Sequence, residues 1–322
     1  MRRFLKMLAL SLPLAAAFAG VAQADWPNDK PITVIHAFAP GGDALQRMVA
    51  QAMEKALGQT VVFENRPGAG GATGTAYGAR QAPDGYTLIT AYPGPAANYL
   101  NTYKSLPYNP LEDFEHIAQI SKGDMVLSVK KDFPATTLKE LIDYAKANPG
   151  KVSFGNVGIG SYGHMIELAF AELAGIDVKM IPYKGSGPLV VDMLSGSIDA
   201  SIDYLGETYI KQLEAGSLKA IAVISEERIP DYPDLPTLRE AGIDFAAGPW
   251  AGIMAPKGTP KAIVDKINAV VGEFINAPET AGSLKTFGQR AAFTSPAEFH
   301  QIVLDEEAKW RDLIKKHGIS NE

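Results

Sequence analysis

The stretch ITVIHAFAPGGDALQRMVAQAMEKALGQTVVFE, residues 32–64, holds a complete supersecondary unit. Its opening, ITVIHAF, is apolar and rich in β-branched residues, which suits a strand. After Pro40-Gly41-Gly42, residues Leu45, Met48, Val49, Ala52, Met53, Ala56 and Leu57 recur every three or four positions and form one apolar stripe on a helix. Gly58 closes that helix as a C-cap, and TVVFE is a second strand. Strands joined through a helix run parallel, so the stretch predicts an α/β fold.

The rhythm continues outward. RPGAGGATG (66–74) reads as a glycine-rich loop, and YTLIT (86–90) as a third strand after the turn Pro83-Asp84-Gly85. A proline-rich, irregular connection covers 92–110. A second series begins at MVLSV (125–129), with a helix over 137–147, strand VSFGN and a helix over 161–174 whose Ile166, Ala169, Phe170 and Leu173 share a face. Strand VKMIPY, a helix over 188–194 and strands IDASID and LKAIAV complete this second lobe. WAGIMAP (250–256) is again strand-like. Two helical patterns end the chain, one through Ile263, Ile267, Val270, Val271 and Phe274, the other through Phe299, Ile302, Val303, Trp310 and Leu313. With no room for a third sheet, both are expected to pack on the first lobe.

The N-terminus MRRFLKMLALSLPLAAAFAGVAQA combines basic residues (Arg2, Arg3, Lys6), an apolar run and Ala22-Gln23-Ala24, the pattern of a secretory signal peptide cleaved after Ala24. Arg2-Arg3 is compatible with the twin-arginine route, but nothing else indicates a cofactor-loaded passenger, which favours ordinary export. About 300 residues remain, enough for two lobes or one large α/β unit. No later run approaches the roughly 18 apolar residues that span a bilayer, so the mature chain is expected to be soluble. The absence of cysteine excludes disulfides, thiolate metal sites, a cysteine nucleophile and a lipoprotein anchor. A net charge of −6 offers no footprint for nucleic acid, and 46% hydrophobic residues argue against disorder.

A strand that ends in a glycine-rich turn and feeds a helix gathers unpaired N–H groups and the positive end of the helix dipole at one point, which attracts an anion. The PGG loop is one such place and GNVGIGSYGHM (155–165) another. The second contains a formal G-x-G-x-x-G at Gly158, Gly160 and Gly163, with Asp177 further on. Asp177 precedes VKMI in a turn instead of closing the second strand, and an exported protein meets little dinucleotide, so a nucleotide is disfavoured. No P-loop spacing occurs. A carboxylate suits the same chemistry, and two such loops facing each other across a cleft would grip a small acid. The five histidines show no metal spacing, and there is no G-x-S-x-G elbow. Neither a cofactor nor a metal is expected, and a triad assembled only in space, for instance around His164 and Asp203, is the enzymatic alternative.

PITVIHAFAPGGDALQR, VVFENRPGAGGATG, APDGYTLIT, SLPYNPLEDFEHI, VSFGNVGIGSYGH, IPYKGSGPLVVDMLSGSID, LKAIAV, PDLPTLREAG and WAGIMAPKGTP occur in that order over almost the whole mature chain. Together they resemble the Bug (Bordetella uptake gene) family, periplasmic solute-binding proteins of tripartite tricarboxylate transporters. The resemblance implies a two-lobed, type II-like periplasmic binding fold, each lobe a mostly parallel sheet flanked by helices. Lobe I would comprise 25–124 and 250–322 and lobe II 125–249, joined by crossover strands near MVLSV and WAGIM that act as hinges. It also implies a monomeric, non-enzymatic receptor that closes on a small carboxylate and docks to the permease subunits in the membrane. A periplasmic sensor of the same ligand for a membrane receptor is the remaining alternative.

Mapped onto this sequence, the ligand contacts implied by the resemblance fall on Ala39, Gly41, Gly42 and Asp43, on Tyr92 and Gly94 after the third strand, on Asn156, Gly158, Gly160, Ser161 and His164, and on Asp203. The departures are a PGG–Asp43 loop two residues short and Tyr92-Pro93 where small residues are usual. With Phe38, Tyr162 and Tyr204 near predicted loops, an aromatic acid becomes as eligible as an aliphatic di- or tricarboxylate. Asp43 and Ser161 are each placed to act as an N-cap or a ligand contact, His164 as a core or site residue, and Tyr183 as a strand end near the cleft. Arg66 is read as tying down its own loop, and Trp250 and Trp310 as core or hinge packing.

Overall fold

The computed structural model describes residues 26–320, apart from 41, 42 and 184. The signal peptide, Gly41, Gly42 and Lys184 therefore lie outside the described residues. In chain order the elements are β1 (Ile32–His36), α1 (Ala44–Leu57), β2 (Val61–Asn65), α2 (Ala72–Ala79), β3 (Thr87–Ala91), α3 (Tyr99–Thr102), β4 (Phe114–Gly123), β5 (Met125–Lys130), α4 (Leu138–Ala147), β6 (Ser153–Asn156) and α5 (Tyr162–Ala174). There follow β7 (Lys179–Pro182), α6 (Ser186–Leu194), β8 (Ala200–Tyr204), α7 (Glu207–Glu214), β9 (Leu218–Val223), β10 (Trp250–Pro256), α8 (Lys261–Ile275), α9 (Pro278–Thr286), β11 (Gln289–Ala291) and α10 (Pro296–His317).

The strands form two sheets, ordered β11-β4-β10-β3-β1-β2 and β7-β6-β8-β5-β9. The expectation of mostly parallel sheets needs correction, because each sheet is mixed. β1 pairs parallel with β2 and β3, and β6 parallel with β7 and β8, as the βαβ rhythm requires. β10 is antiparallel to both β3 and β4, and β5 antiparallel to both β8 and β9. The antiparallel pairs are those made by strands outside the βαβ units: β4 leaves the first sheet at Gly123, β5 enters the second at Met125, and β10 brings the chain back, so no crossover helix within one sheet aligns these strands with their neighbours. The chain returns from β9 to β10, and Gly123 N–H donates to Pro249 O at 2.7 Å, pinning the two crossings together.

Alternation along the strands gives each sheet two apolar faces. In β10, Ala251, Ile253 and Ala255 meet Leu45, Val49 and Met53 of α1 and Ile267 of α8, whereas Trp250 and Met254 meet Phe299 of α10. In β5, Met125, Leu127 and Val129 face α4 and α5, and Val126 faces α6 and α7.

Three features were not legible in the sequence. FEHIAQISKG forms the long strand β4, yet it mixes Glu, His, Gln and Ser with its apolar residues and shows no clean alternation, because it is covered on both faces. The glycine-rich loop contains α2, where glycine allows contact: a Cβ on Gly74 would stand 2.5 Å from Arg66 O and 2.8 Å from Ala37 Cα. Finally, α10 does not pack on the first sheet alone. Its Phe299 and Val303 lie in the first core, while Trp310 and Ile314 lie in the core of the second sheet.

Candidate functional site

Strand order creates the site. β1 connects through α1 to β2 on one side while β3 lies on the other, so the loops leaving β1 and β3 diverge and open a crevice at their carboxyl ends. The second sheet repeats this arrangement at β6, between β7 and β8. Loop backbone and helix N-termini face such gaps, which is why small ligands settle there.

Two of the cavities in this region are walled by candidate residues. The larger, about 510 Å³, is lined by His36, Phe38, Tyr92, Gly94, Asn98 and Tyr99 from the first sheet's side and by Gly160, Ser161, Tyr162 and Met165 from the second's. The smaller, about 300 Å³, has Tyr92, Tyr162, Gly163, Asp203, Tyr204, Trp250 and Gln289 in its wall. Tyr92 and Tyr162 belong to both. Phe38, Tyr92 and Gly94 thus share a cleft with Gly160, Ser161 and Asp203, although they come from opposite halves of the fold.

The remaining candidates stand behind this wall or away from it. Asn156 is buried, donates to Glu167 Oε2 at 2.9 Å and accepts from Gly158 N–H at 3.1 Å. His164 Nδ1 accepts from Gly160 N–H at 3.1 Å, and Ser161 N–H donates to Gly158 O. The N–H groups of Gly158, Gly160 and Ser161 are therefore spent inside the loop, which holds its shape. What remains at this point for an anion is the Ser161 hydroxyl, which caps α5 by accepting from His164 N–H at 3.2 Å yet can still donate, and the first N–H groups of that helix.

Asp43 sits at the N-cap position of α1, but its side chain makes no cap bond. Its carboxylate takes hydrogen bonds from Arg47 (2.8 and 3.1 Å) and Asn65 (3.2 Å), which brace the loop after β1. Ala39 is exposed. Tyr183 donates to Asp192 at 2.7 Å and lines neither cavity. Arg66 pairs with Glu64 and stacks 3.6 Å from the Tyr77 ring centroid, so it ties down its loop.

No lysine or arginine lines either cavity among the described residues. Asp203 is 4% exposed; its Oδ1 accepts from Tyr204 N–H, and its Oδ2 has no hydrogen-bond partner. Burial raises its pKa, a tendency that nearby Ser186 only partly offsets. Burial lowers that of His36, whose Nδ1 lies 3.1 Å from Thr90 Oγ1. Behind the wall, burial pushes the Glu167 carboxyl up to about 8.

Sequence reading missed His36, Asn98, Tyr99 and Met165. His36 closes β1 and was visible as a strand end. Asn98 and Tyr99 lie in the connection after β3 that reads as irregular but contains a wide helical turn, Gly94–Asn98, leading into α3.

Fold and cleft define a two-lobed solute-binding protein. The family profile of the tripartite tricarboxylate transporter family receptor (TctC) matches residues 45–319. BugT of Bordetella pertussis is 34% identical over 322 residues, covering 99% of this chain and 98% of its own. Rpa4515 of R. palustris, solved with adipate, superposes with a TM-score of 0.78 at 33% identity, covering 92% of this chain and 99% of that one. MatC of Rhodopseudomonas palustris, solved with bound malate, gives 0.72 at 31% identity over 89% and 99%. The chain belongs to the tripartite tricarboxylate transporter receptor family, in which the Bug resemblance had placed it. This is a family of solute-binding transport components, not of enzymes.

Proposed function

We propose that this chain is a periplasmic receptor that captures a small carboxylate between its lobes and delivers it to the membrane subunits of a tripartite transporter. The supporting observation is a cleft whose wall is contributed by both sheets, with the capped N-terminus of α5 opposite the loops after β1 and β3. The carboxylate would meet the Ser161 hydroxyl and the first N–H groups of α5, and Phe38, Tyr92 and Gly94 would close over it. Gly41 and Gly42 would add amides from the first lobe. Asn156, Gly158 and His164 would keep the loop in shape, and Asp203 would face the far end of the ligand. Adipate and malate in the relatives' structures agree with this chemistry.

Lobe I would comprise 25–124 and 250–322, and lobe II 125–249, with hinges at the Gly123–Asp124 and Gly248–Pro249 crossings. Ligand favours the closed state because only there do both lobes touch it. Residues 1–24 would direct export, with cleavage after Ala24, and the mature protein would act as a monomer. A thermal-shift screen of purified mature protein over aliphatic and aromatic acids should find a stabilising ligand, since one at 100 times its Kd adds about 2.7 kcal/mol. Small-angle scattering at saturation should then show compaction. Stabilisation without compaction would refute hinge closure, and the lack of any stabilising acid would refute carboxylate capture.

A further inference from the structure

We infer that the ligand is a planar aromatic monocarboxylate that carries a hydrogen-bond donor on the side of the ring away from its carboxylate. This rests on the carboxylate-receptor reading above and names the class of acid. Four observations carry it.

The cleft wall is made of ring faces. Phe38 and Tyr92 stand edge to face at 5.2 Å and 89°, and His36 lies 5.8 Å from Tyr92. Tyr162 and Tyr99 complete the larger cavity, and Tyr162, Tyr204 and Trp250 surround the smaller. Such walls reward a flat, polarisable body over a flexible aliphatic chain.

The rings are also held in place by their polar ends, which point elsewhere. The Tyr99 hydroxyl donates to Gly70 O at 2.8 Å, that of Tyr162 to Gly248 O at 3.2 Å, and that of Tyr204 to Phe287 O at 2.8 Å. These three rings are therefore pre-positioned, and their hydroxyls are already engaged.

Only one anion-friendly place is evident among the described lining residues, at Ser161 and the start of α5. Among the described residues neither wall holds a lysine or arginine, so a second ligand carboxylate buried beside Asp203 would meet a like charge and no cation of these two walls.

Asp203 itself supplies the last constraint. Asp203 lines the smaller cavity, and its Oδ2, buried just behind that wall, has no hydrogen-bond partner, an arrangement that costs free energy until a donor reaches it. A ring hydroxyl or amino group on a ligand that passes between Tyr92 and Tyr162 would provide one. The carboxylate at α5 and the donor at Asp203 then fix the two ends of the ring.

The test compares binding of 4-hydroxybenzoate, 4-aminobenzoate, benzoate, terephthalate, adipate and malate to the mature protein by calorimetry. The inference expects 4-hydroxybenzoate or 4-aminobenzoate to bind about 10- to 100-fold more tightly than benzoate, the range for a hydrogen bond to a buried charge. It expects terephthalate, adipate and malate to bind more weakly still. In Asp203→Asn the preference for 4-hydroxybenzoate or 4-aminobenzoate over benzoate should shrink to within about threefold. Tyr92→Leu, a check that does not disturb Asp203, should weaken every aromatic acid about tenfold or more. Preferential binding of adipate or malate overturns the aromatic class but leaves carboxylate capture standing. Equal binding of benzoate and its hydroxylated form overturns the role of Asp203. If folded protein binds none of these acids, the underlying receptor reading fails as well.

Discussion

Ser161 combines two positions on one oxygen: it accepts from His164 N–H as the cap of α5, and it lies in the wall of the cleft, where its O–H is available to donate. Ser161→Ala should lower stability by about 1 kcal/mol in urea titration, the usual worth of a cap. If the hydroxyl also holds the ligand, affinity should fall by an additional, separately measured factor of about ten. Glu167 offers a test through pH. Its folded pKa of about 8 exceeds the ordinary value of 4.5, so the folded state holds that proton more tightly than the unfolded chain. The contribution is fully present below about pH 4.5 and declines as pH rises toward 8. Glu167→Gln cannot titrate, so wild type should lose stability relative to this variant between pH 5 and 8, read from denaturation midpoints at both values. Parallel curves would show that burial does not hold the proton there. Ser161 was visible as a cap candidate, but the partner of Glu167 is Asn156, brought near only when α5 folds back over β6.

At the scale of elements, helix α5 packs tightly enough on β8 that a Cβ on Gly163 would stand 2.5 Å from Ile202 O. Alanine would gain up to about 1 kcal/mol in helix propensity. The clash with backbone costs more, about 1–3 kcal/mol. Gly163→Ala should therefore be destabilised overall and should weaken ligand binding, because the start of α5 must move away from the strand that carries Asp203. A stabilised variant would mean that the helix sits farther from the sheet than described. This also explains why the G-x-G-x-x-G pattern invites misreading: Gly158 and Gly160 have φ of 133° and 75° and shape the loop, whereas Gly163 is there for close packing. The βαβ units were legible because their strands and amphipathic helices alternate cleanly. β4 was not, because a central strand covered on both faces can bury His116, Gln119 and Ser121 among its apolar residues and lose its alternation.

The whole molecule is tied across its crossing by Arg290 of β11, whose guanidinium makes two hydrogen bonds, at 2.5 and 3.0 Å, to Asp124, the residue between β4 and β5. Arg290 is about half exposed while the Asp124 carboxylate is buried, so solvent screens one end only. Arg290→Ala should cost about 1–3 kcal/mol in urea unfolding, since it leaves that carboxylate without its cation. A loss below about 0.3 kcal/mol would show the pair to be dispensable. α10 provides a second tie: Trp310 packs against Tyr162 and Phe245 at 5.6 and 5.8 Å and donates to Glu306, which also accepts from Asn98 in the wall of the larger cavity. The α/β class, the βαβ units, the two glycine-rich turns and the family were all present in local pattern, because strand and helix periodicity and turn chemistry act over a few residues. The antiparallel crossing, the passage of α10 between both cores, and the meeting of Phe38 and Tyr92 with Ser161 and Asp203 were settled by three-dimensional packing. Those contacts join residues far apart in the chain, and no short-range periodicity encodes which buried faces will meet.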